Sequence, residues 1–135
     1  MRKQYLISFA LCGAMLVAAG GLTVSQSDLV ARYNEYNGKR VTVNGEVVSG
    51  PEMTVMYLPS ATAGSVMREA MLITLSEQAS NKPAMLTRRF TKDLKKHGRV
   101  VAELEGSFEG AADRRWGHQG CCRFRLQVER VVSLK

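Results

Sequence analysis

The sequence is poor in the residues from which catalytic and metal centres are usually built. It has three cysteines, two histidines and one tryptophan among its 135 residues. The absence of a CxxC pair argues against a thioredoxin-like redox centre and a four-cysteine zinc site. A nucleophile elbow, an HExxH helix and a glycine-rich phosphate loop are absent as well. We therefore expect a protein that is not an enzyme and that uses no cofactor and no metal.

The first part of the chain lacks charge over a long stretch. Arg2 and Lys3 precede an uncharged run from Gln4 to Ser27, which is apolar up to Ala19. A basic start, an apolar centre and small residues at the end are typical of a secretory signal peptide, so we predict cleavage after Ala19. The domain is then periplasmic or secreted, with an uncleaved inner-membrane anchor as the alternative.

Residues 20–135 are enough for a single domain with a modest core. The formal charge of the whole chain is +7, and it is unevenly spread: residues 20–84 carry a net −1 and residues 85–135 a net +6. A positive surface outside the cytoplasm favours an anionic partner such as a polysaccharide, nucleic acid, lipid headgroups or an acidic protein. Its simpler interpretation is solubility.

Two segments share one strand pattern that contains a glycine. Val41, Val43 and Val47 alternate with polar residues over residues 40–48, and Gly45 takes the third of the four inward positions. The segment 100–108 repeats this plan with Gly106 at the same place. A glycine on the inward face lets a strand bend sharply, so the pair predicts two bent strands at equivalent corners of a small barrel.

The remaining elements complete an all-β plan with few helices. A short helix capped by Ser25 or Ser27 precedes the first strand, and further strands are predicted over 54–58, 70–75 and 123–132. A helix from Asn81 to His97, ended by Gly98, lies between the third and fourth strands, with an apolar stripe of Met85, Leu86, Phe90 and Leu94. This order predicts a five-stranded Greek-key barrel of the OB-fold type.

Several motifs also resemble a known group of proteins. They are Tyr36-Asn-Gly-Lys-Arg-Val-x-Val-x-Gly-x-Val47, the segment from Glu52 to Tyr57, the segment from Gly98 to Gly106, and Gly117-His118-x-Gly120. Together they look like small exported bacterial OB-fold proteins of uncharacterised function. The resemblance implies a fold and is silent on activity.

Cys121 and Cys122 are adjacent, and the sequence leaves three interpretations open. They form a vicinal disulfide with redox or ligand-gating behaviour, they bridge to another chain, or they stay as one buried and one exposed thiol. Side chains of neighbouring strand residues point to opposite faces, which favours the free thiols.

The segment from Glu109 to Gly120 has the composition of a binding loop. It contains Arg114, Arg115, Trp116 and His118, and Arg123 and Arg125 follow on the next strand. Arginine binds planar anions and tryptophan stacks on bases or sugar rings. In the alternative interpretation Trp116 plugs the barrel end and the arginines are solvated.

Two other polar groups are interpreted as solvated surface. Glu103 and Glu105 fall on the outward positions of the strand over 100–108, and the basic residues of the helix over 81–97 face away from its apolar stripe. Neither group predicts a site.

These patterns together predict an exported, non-enzymatic OB-fold module that binds an anionic ligand or partner. We expect the ligand to contact Arg114, Arg115, Trp116, His118, Arg123 and Arg125. The alternatives are a structural or assembly protein of the bacterial envelope and a redox-sensing domain based on Cys121 and Cys122.

Overall fold

The computed structural model describes residues 21–60, 69–111, 115–117 and 120–135. The predicted signal peptide, residues 1–19, lies outside the described residues. The elements in chain order are β1 (Leu22–Thr23), α1 (Gln26–Ala31), α2 (Tyr33–Tyr36), β2 (Arg40–Ser49), β3 (Thr54–Leu58), β4 (Glu69–Leu75), α3 (Glu77–Asn81), α4 (Met85–His97), β5 (Arg99–Gly110) and β6 (Phe124–Leu134).

Five of the strands form a closed β-barrel. They follow the order β2, β3, β4, β6, β5, and the sheet closes because β2 also pairs with β5. All pairs around the barrel are antiparallel except β4 with β6. The prediction of a small closed barrel is confirmed. The short strand β1, which pairs in parallel with β2, was not predicted.

The barrel interior is filled by the residues at alternate strand positions. Val41, Val43 and Val47 of β2 are almost completely buried, as the period of two predicts. Phe108 of β5 and Phe124 of β6 are also buried, and their ring centroids lie 5.7 Å apart. These side chains form one apolar core, to which the helices contribute Leu29, Val30 and Phe90.

The two strand glycines have different surroundings. A Cβ on Gly45 would lie 2.3 Å from Nε2 of Gln26 and 2.8 Å from Sδ of Met56. A Cβ on Gly106 would lie 2.1 Å from the carbonyl oxygen of Gln127, at a register shift between β5 and β6. Gly106 is therefore required for the close approach of two backbones, whereas Gly45 makes room for side chains.

Helix α4 covers the barrel with a narrower apolar face than predicted. It begins at Met85 after Ala84, while Asn81 ends the separate helix α3. Phe90 is buried at 3% exposure and Met85 is 69% exposed, so the inclusion of Met85 in the stripe is wrong. At about 100° per residue, Met85 points well away from Phe90, and Thr87 takes the buried place one turn before it.

Helix α4 ends at Gly98, which has a φ of +77° and donates its N–H to the carbonyl of Leu94. Glycine adopts this left-handed conformation at little cost.

In the described part of the chain, none of the helices has the length and apolar character needed to cross a membrane.

Candidate ligand-binding site

The chain between β5 and β6 folds back on itself in a tight turn. Trp116 donates its N–H to the carbonyl of Cys122 at 2.8 Å, and Cys122 donates to the carbonyl of Trp116 at 3.0 Å. Gly117 and Gly120 have φ values of +84° and +63°, which permit the reversal. Of the predicted binding residues in this loop, Arg114 and His118 lie outside the described residues. The two backbone bonds hold Trp116 at a fixed place beside the barrel.

Trp116 is half-buried and lines an open cleft of about 610 Å³. Residues with polar side chains from two strands and a turn also line the cleft, namely Asn37, Ser107, Glu109 and Gln127. Asn37 accepts from the N–H of Gly110 at 3.0 Å, and Ser107 donates to Glu129 at 3.5 Å. Ser107 and Gln127 face each other as register partners on β5 and β6. The cleft therefore combines an aromatic surface with hydroxyl, amide and carboxylate groups.

Two of the predicted binding arginines are held in ion pairs at this end of the barrel. The Nε of Arg125 donates to Glu109 at 3.1 Å, and its guanidinium carbon lies 5.6 Å from the centre of the Trp116 ring. Arg123 donates to Glu69 at 3.0 Å. Both arginines keep further N–H groups, but their charges are compensated by the carboxylates.

Arg123 also lies against two aromatic rings. Its guanidinium carbon is 5.4 Å from the Tyr33 ring centre and 5.0 Å from that of Phe124. Its position is thus fixed by packing as well as by Glu69. Arg115, in contrast, is exposed and forms no ion pair with any residue in the described ranges. Among the predicted binding arginines that the structure describes, Arg115 is thus the one whose charge no carboxylate compensates.

Cys121 and Cys122 form a disulfide with an S–S distance of 2.05 Å. The prediction of two free thiols is therefore wrong. It assumed that both cysteines lie on an extended strand, but β6 begins at Phe124 and the cysteines precede it in the irregular turn. Cys121 is an exposed residue and Cys122 is 1% exposed, so the disulfide joins a surface residue to a buried one.

The disulfide contacts the turn between β2 and β3. Sγ of Cys121 lies 3.4 Å from Sδ of Met53 and 3.5 Å from the carbonyl oxygen of Trp116. The two loops on this side of the barrel therefore meet through sulfur atoms.

A second polar cluster was not predicted. Glu105 is only 7% exposed, so its interpretation as a solvated residue is wrong. Its Oε2 accepts from Arg130 at 3.2 Å and from Thr42 at 3.4 Å, and its Oε1 lies 3.9 Å from Nε of Arg40. The inward positions of β5 remain buried in alternation, so Glu105 keeps its outward position, where Arg40, Arg130 and Gly21 cover it.

The protonation of Glu105 reflects these partners. Burial alone would raise its pKa, but the hydrogen bond and charge of Arg130, the backbone N–H of Gly21 and the charge of Arg40 together hold the pKa below its ordinary value. The neighbouring Glu129 pairs with Arg40. This cluster lines a crevice of about 580 Å³ between the barrel and helices α3 and α4, but its carboxylates and arginines compensate one another.

Glu103, the other predicted solvated carboxylate, is half-buried and accepts a hydrogen bond from Ser133 at 3.4 Å.

In the part of the chain that the structure describes, no three side chains of His, Cys, Asp or Glu are grouped closely enough to share a metal ion. The cleft beside Trp116 is therefore the site with the clearest arrangement for binding.

The composition of the loop indicates Trp116 and its arginines. It gives no indication of Asn37, Ser107 and Gln127, which complete the cleft. The only signal in the sequence was that Ser107 and Gln127 occupy outward strand positions, and their pairing requires the register between β5 and β6.

Comparison with family models, with curated proteins and with solved structures gave no match.

Proposed function

We propose that the chain is an exported, non-enzymatic OB-fold module that binds an anionic oligosaccharide in the cleft beside Trp116. The order of the barrel strands, with α3 and α4 between β4 and β5, supports the OB-fold assignment. In such folds ligands commonly contact the loop between the fourth and fifth barrel strands. That loop here carries Trp116.

The juxtaposition of Trp116 with Ser107 and Gln127 carries the proposal. A tryptophan ring stacks on the apolar face of a sugar, while hydroxyl and amide groups exchange hydrogen bonds with its hydroxyls. Arg115 supplies the free positive charge for an acidic group on the ligand. The sequence also assigns Arg114 and His118 to the site, and both lie outside the described residues.

Nucleic acid and an acidic protein are the other anionic partners that the sequence predicts. A nucleic-acid groove depends on uncompensated cations along the backbone path. In the described residues near Trp116, the charges of Arg123 and Arg125 are paired with Glu69 and Glu109. This compensation favours a ligand that binds mainly through its hydroxyls and ring face, with an acidic group placed at Arg115.

The test uses the fluorescence of Trp116, the only tryptophan of the chain. The protein is titrated with a polyuronate, a neutral polysaccharide and a single-stranded oligonucleotide, at low and at roughly physiological salt. We expect a saturable change with the polyuronate that weakens as salt rises. A stronger response to the oligonucleotide would instead indicate a nucleic-acid ligand.

The chain offers a matched control, because two pairs of adjacent arginines can be removed with the same change in charge. Arg114→Ala/Arg115→Ala removes the pair in the loop, and Arg88→Ala/Arg89→Ala removes the exposed pair on α4. Only the loop variant should lose the polyuronate response. Equal losses in both variants would mean that net charge, and not this cleft, attracts the ligand.

A flat trace from folded protein would refute the proposed cleft and favour the envelope-assembly alternative. That alternative needs an exposed surface for a protein partner. Among the described strands, β1 lies at the end of the sheet order, and it has two residues, of which Leu22 is 58% exposed. A complex that survives high salt would support this alternative.

A further inference from the structure

Three sulfur atoms surround one point next to Gly117. A Cβ placed on this glycine would lie 2.8 Å from Sγ of Cys121, 3.3 Å from Sδ of Met53 and 3.7 Å from Sγ of Cys122. Because Gly117 has no side chain, the space between these sulfurs is open. Its φ of +84° is one that other amino acids adopt poorly, so the position favours glycine. The sulfurs come from two loops that are distant in the sequence.

The disulfide between Cys121 and Cys122 contributes little as a structural link. In the chain-entropy model a disulfide stabilises by restricting the unfolded chain, and the effect grows with the length of the loop that it closes. Here the sequence separation is 1, the smallest possible value. Stabilisation of the fold therefore does not explain this disulfide, and the chemistry of its two sulfur atoms must be considered instead.

The donor set is that of a soft metal ion. Thiolate and thioether sulfurs select Cu(I) over the harder divalent cations. A cysteine sulfur binds a metal as the thiolate, so both cysteines must be reduced before they can act as ligands. Met53 needs no such change.

We propose that reduction of the Cys121–Cys122 disulfide creates a site for one Cu(I) ion, with Cys121, Cys122 and Met53 as the three ligands. A dithiol reductant supplies two electrons and two protons to the S–S bond and is itself oxidised to a disulfide. The cysteines become two thiols, and each releases its proton when its sulfur binds the metal.

The surroundings of the three sulfurs suit this exchange. Cys121 is exposed, which gives a reductant and an ion access to the bond. Cys122 is buried, and its two backbone bonds to Trp116 hold the turn near Met53. The contact of 3.4 Å between Cys121 and Met53 already brings two of the ligands together in the oxidised protein.

The experiment compares the oxidised and reduced protein as Cu(I) binders. The protein is reduced without oxygen by tris(2-carboxyethyl)phosphine, the reductant is removed, and Cu(I) is titrated in competition with the chromophoric chelator bicinchoninate. We expect the reduced protein to withdraw one equivalent of Cu(I) from the chelator and the oxidised protein to withdraw none.

Two methionine variants provide the matched test of the third ligand. Met53→Leu removes the thioether at nearly constant volume, and we expect its affinity for Cu(I) to fall at least tenfold. Met85→Leu makes the same change at a methionine that is 69% exposed on α4, and its affinity should equal that of the unmodified protein. Cys121→Ser, at an exposed position, should abolish binding while circular dichroism remains unchanged.

Four results would overturn the proposal. They are equal binding by oxidised and reduced protein, equal affinity in Met53→Leu and Met85→Leu, no binding by reduced protein, and loss of the fold on reduction. The last would overturn it because the site requires both loops in place. The readout uses no polysaccharide, so its failure leaves the function proposed for the Trp116 cleft untouched.

Discussion

The substitution Gly106→Ala tests whether the close approach of β5 and β6 requires a residue without a Cβ at this position. The added methyl group would lie 2.1 Å from the carbonyl oxygen of Gln127 and 2.8 Å from Cα of Val128. Real Cβ atoms essentially never come closer than 3.0 Å to another atom. Because the contacts are to backbone, no side-chain rotation relieves them, and β6 must move away.

The size of the effect follows from the length of that movement. A displacement of roughly 1 Å in a packed barrel costs about 1–3 kcal/mol as overpacking. Each interstrand hydrogen bond weakened by it adds about 1 kcal/mol. The more restricted unfolded chain of the alanine variant offsets about 0.5–1 kcal/mol. We therefore expect Gly106→Ala to lower the free energy of unfolding by about 3 kcal/mol, a large share of the 5–15 kcal/mol typical of a domain.

Gly45→Ala is the matched control, because the sequence gives the two glycines the same place in the strand pattern. Its methyl group would meet the ends of Gln26 and Met56, which are flexible side chains. The main loss is the hydrogen bond of 2.8 Å from Gln26 to the carbonyl of Asn44, worth about 1 kcal/mol. Urea unfolding followed by circular dichroism measures both variants. Equal destabilisation, or a larger effect at Gly45, would refute the argument from backbone contact.

Two further predictions concern single polar groups. Because the pKa of Glu105 is lower in the folded than in the unfolded chain, its ion pairs stabilise the fold fully above the unfolded pKa of about 4.3 and lose that contribution as the pH falls through the folded value. Urea unfolding at pH 7 and pH 3 should therefore show a smaller difference in Glu105→Gln than in the unmodified protein, and an equal difference would contradict the assignment. Ser25→Ala should cost about 1 kcal/mol, since Oγ of Ser25 accepts from the N–H of Asp28 at the start of α1. Ser27→Ala should change the stability by less than about 0.5 kcal/mol, and the reverse order would place the helix cap at Ser27.

The strands were predictable wherever one face of a segment is apolar and the other polar. Strand β3 has the predicted bounds, Thr54–Leu58, and β2 extends the predicted segment by one residue, to Ser49. Strand β1 was not predictable, since two residues carry no alternation. Thr42 on β2 is buried although it occupies an outward position, because β1 pairs along that part of the strand.

The candidate site was predictable only in part, because its residues come together through tertiary structure. The loop composition indicated Trp116, but the cleft depends on the pairing of Ser107 with Gln127. Glu105 is buried because closure of the barrel brings Arg40 from β2 and Arg130 from β6 to its carboxylate. No pattern within one strand contains that information.

Closure of the barrel also has a consequence for how the chain folds. The seam between β2 and β5 runs from the pair Arg40↔Ser107 to the pair Val48↔Arg99, so it joins residues that lie 51 to 67 positions apart in the sequence. Contacts so distant in sequence form slowly, since the entropy of closing a long loop is lost before they stabilise anything. We expect folding in the range of milliseconds to seconds, as for other β-barrels. Once closed, β5 has a hydrogen-bonded neighbour on each side, so its amide protons should be among the slowest to exchange with solvent, while those of β1 exchange early.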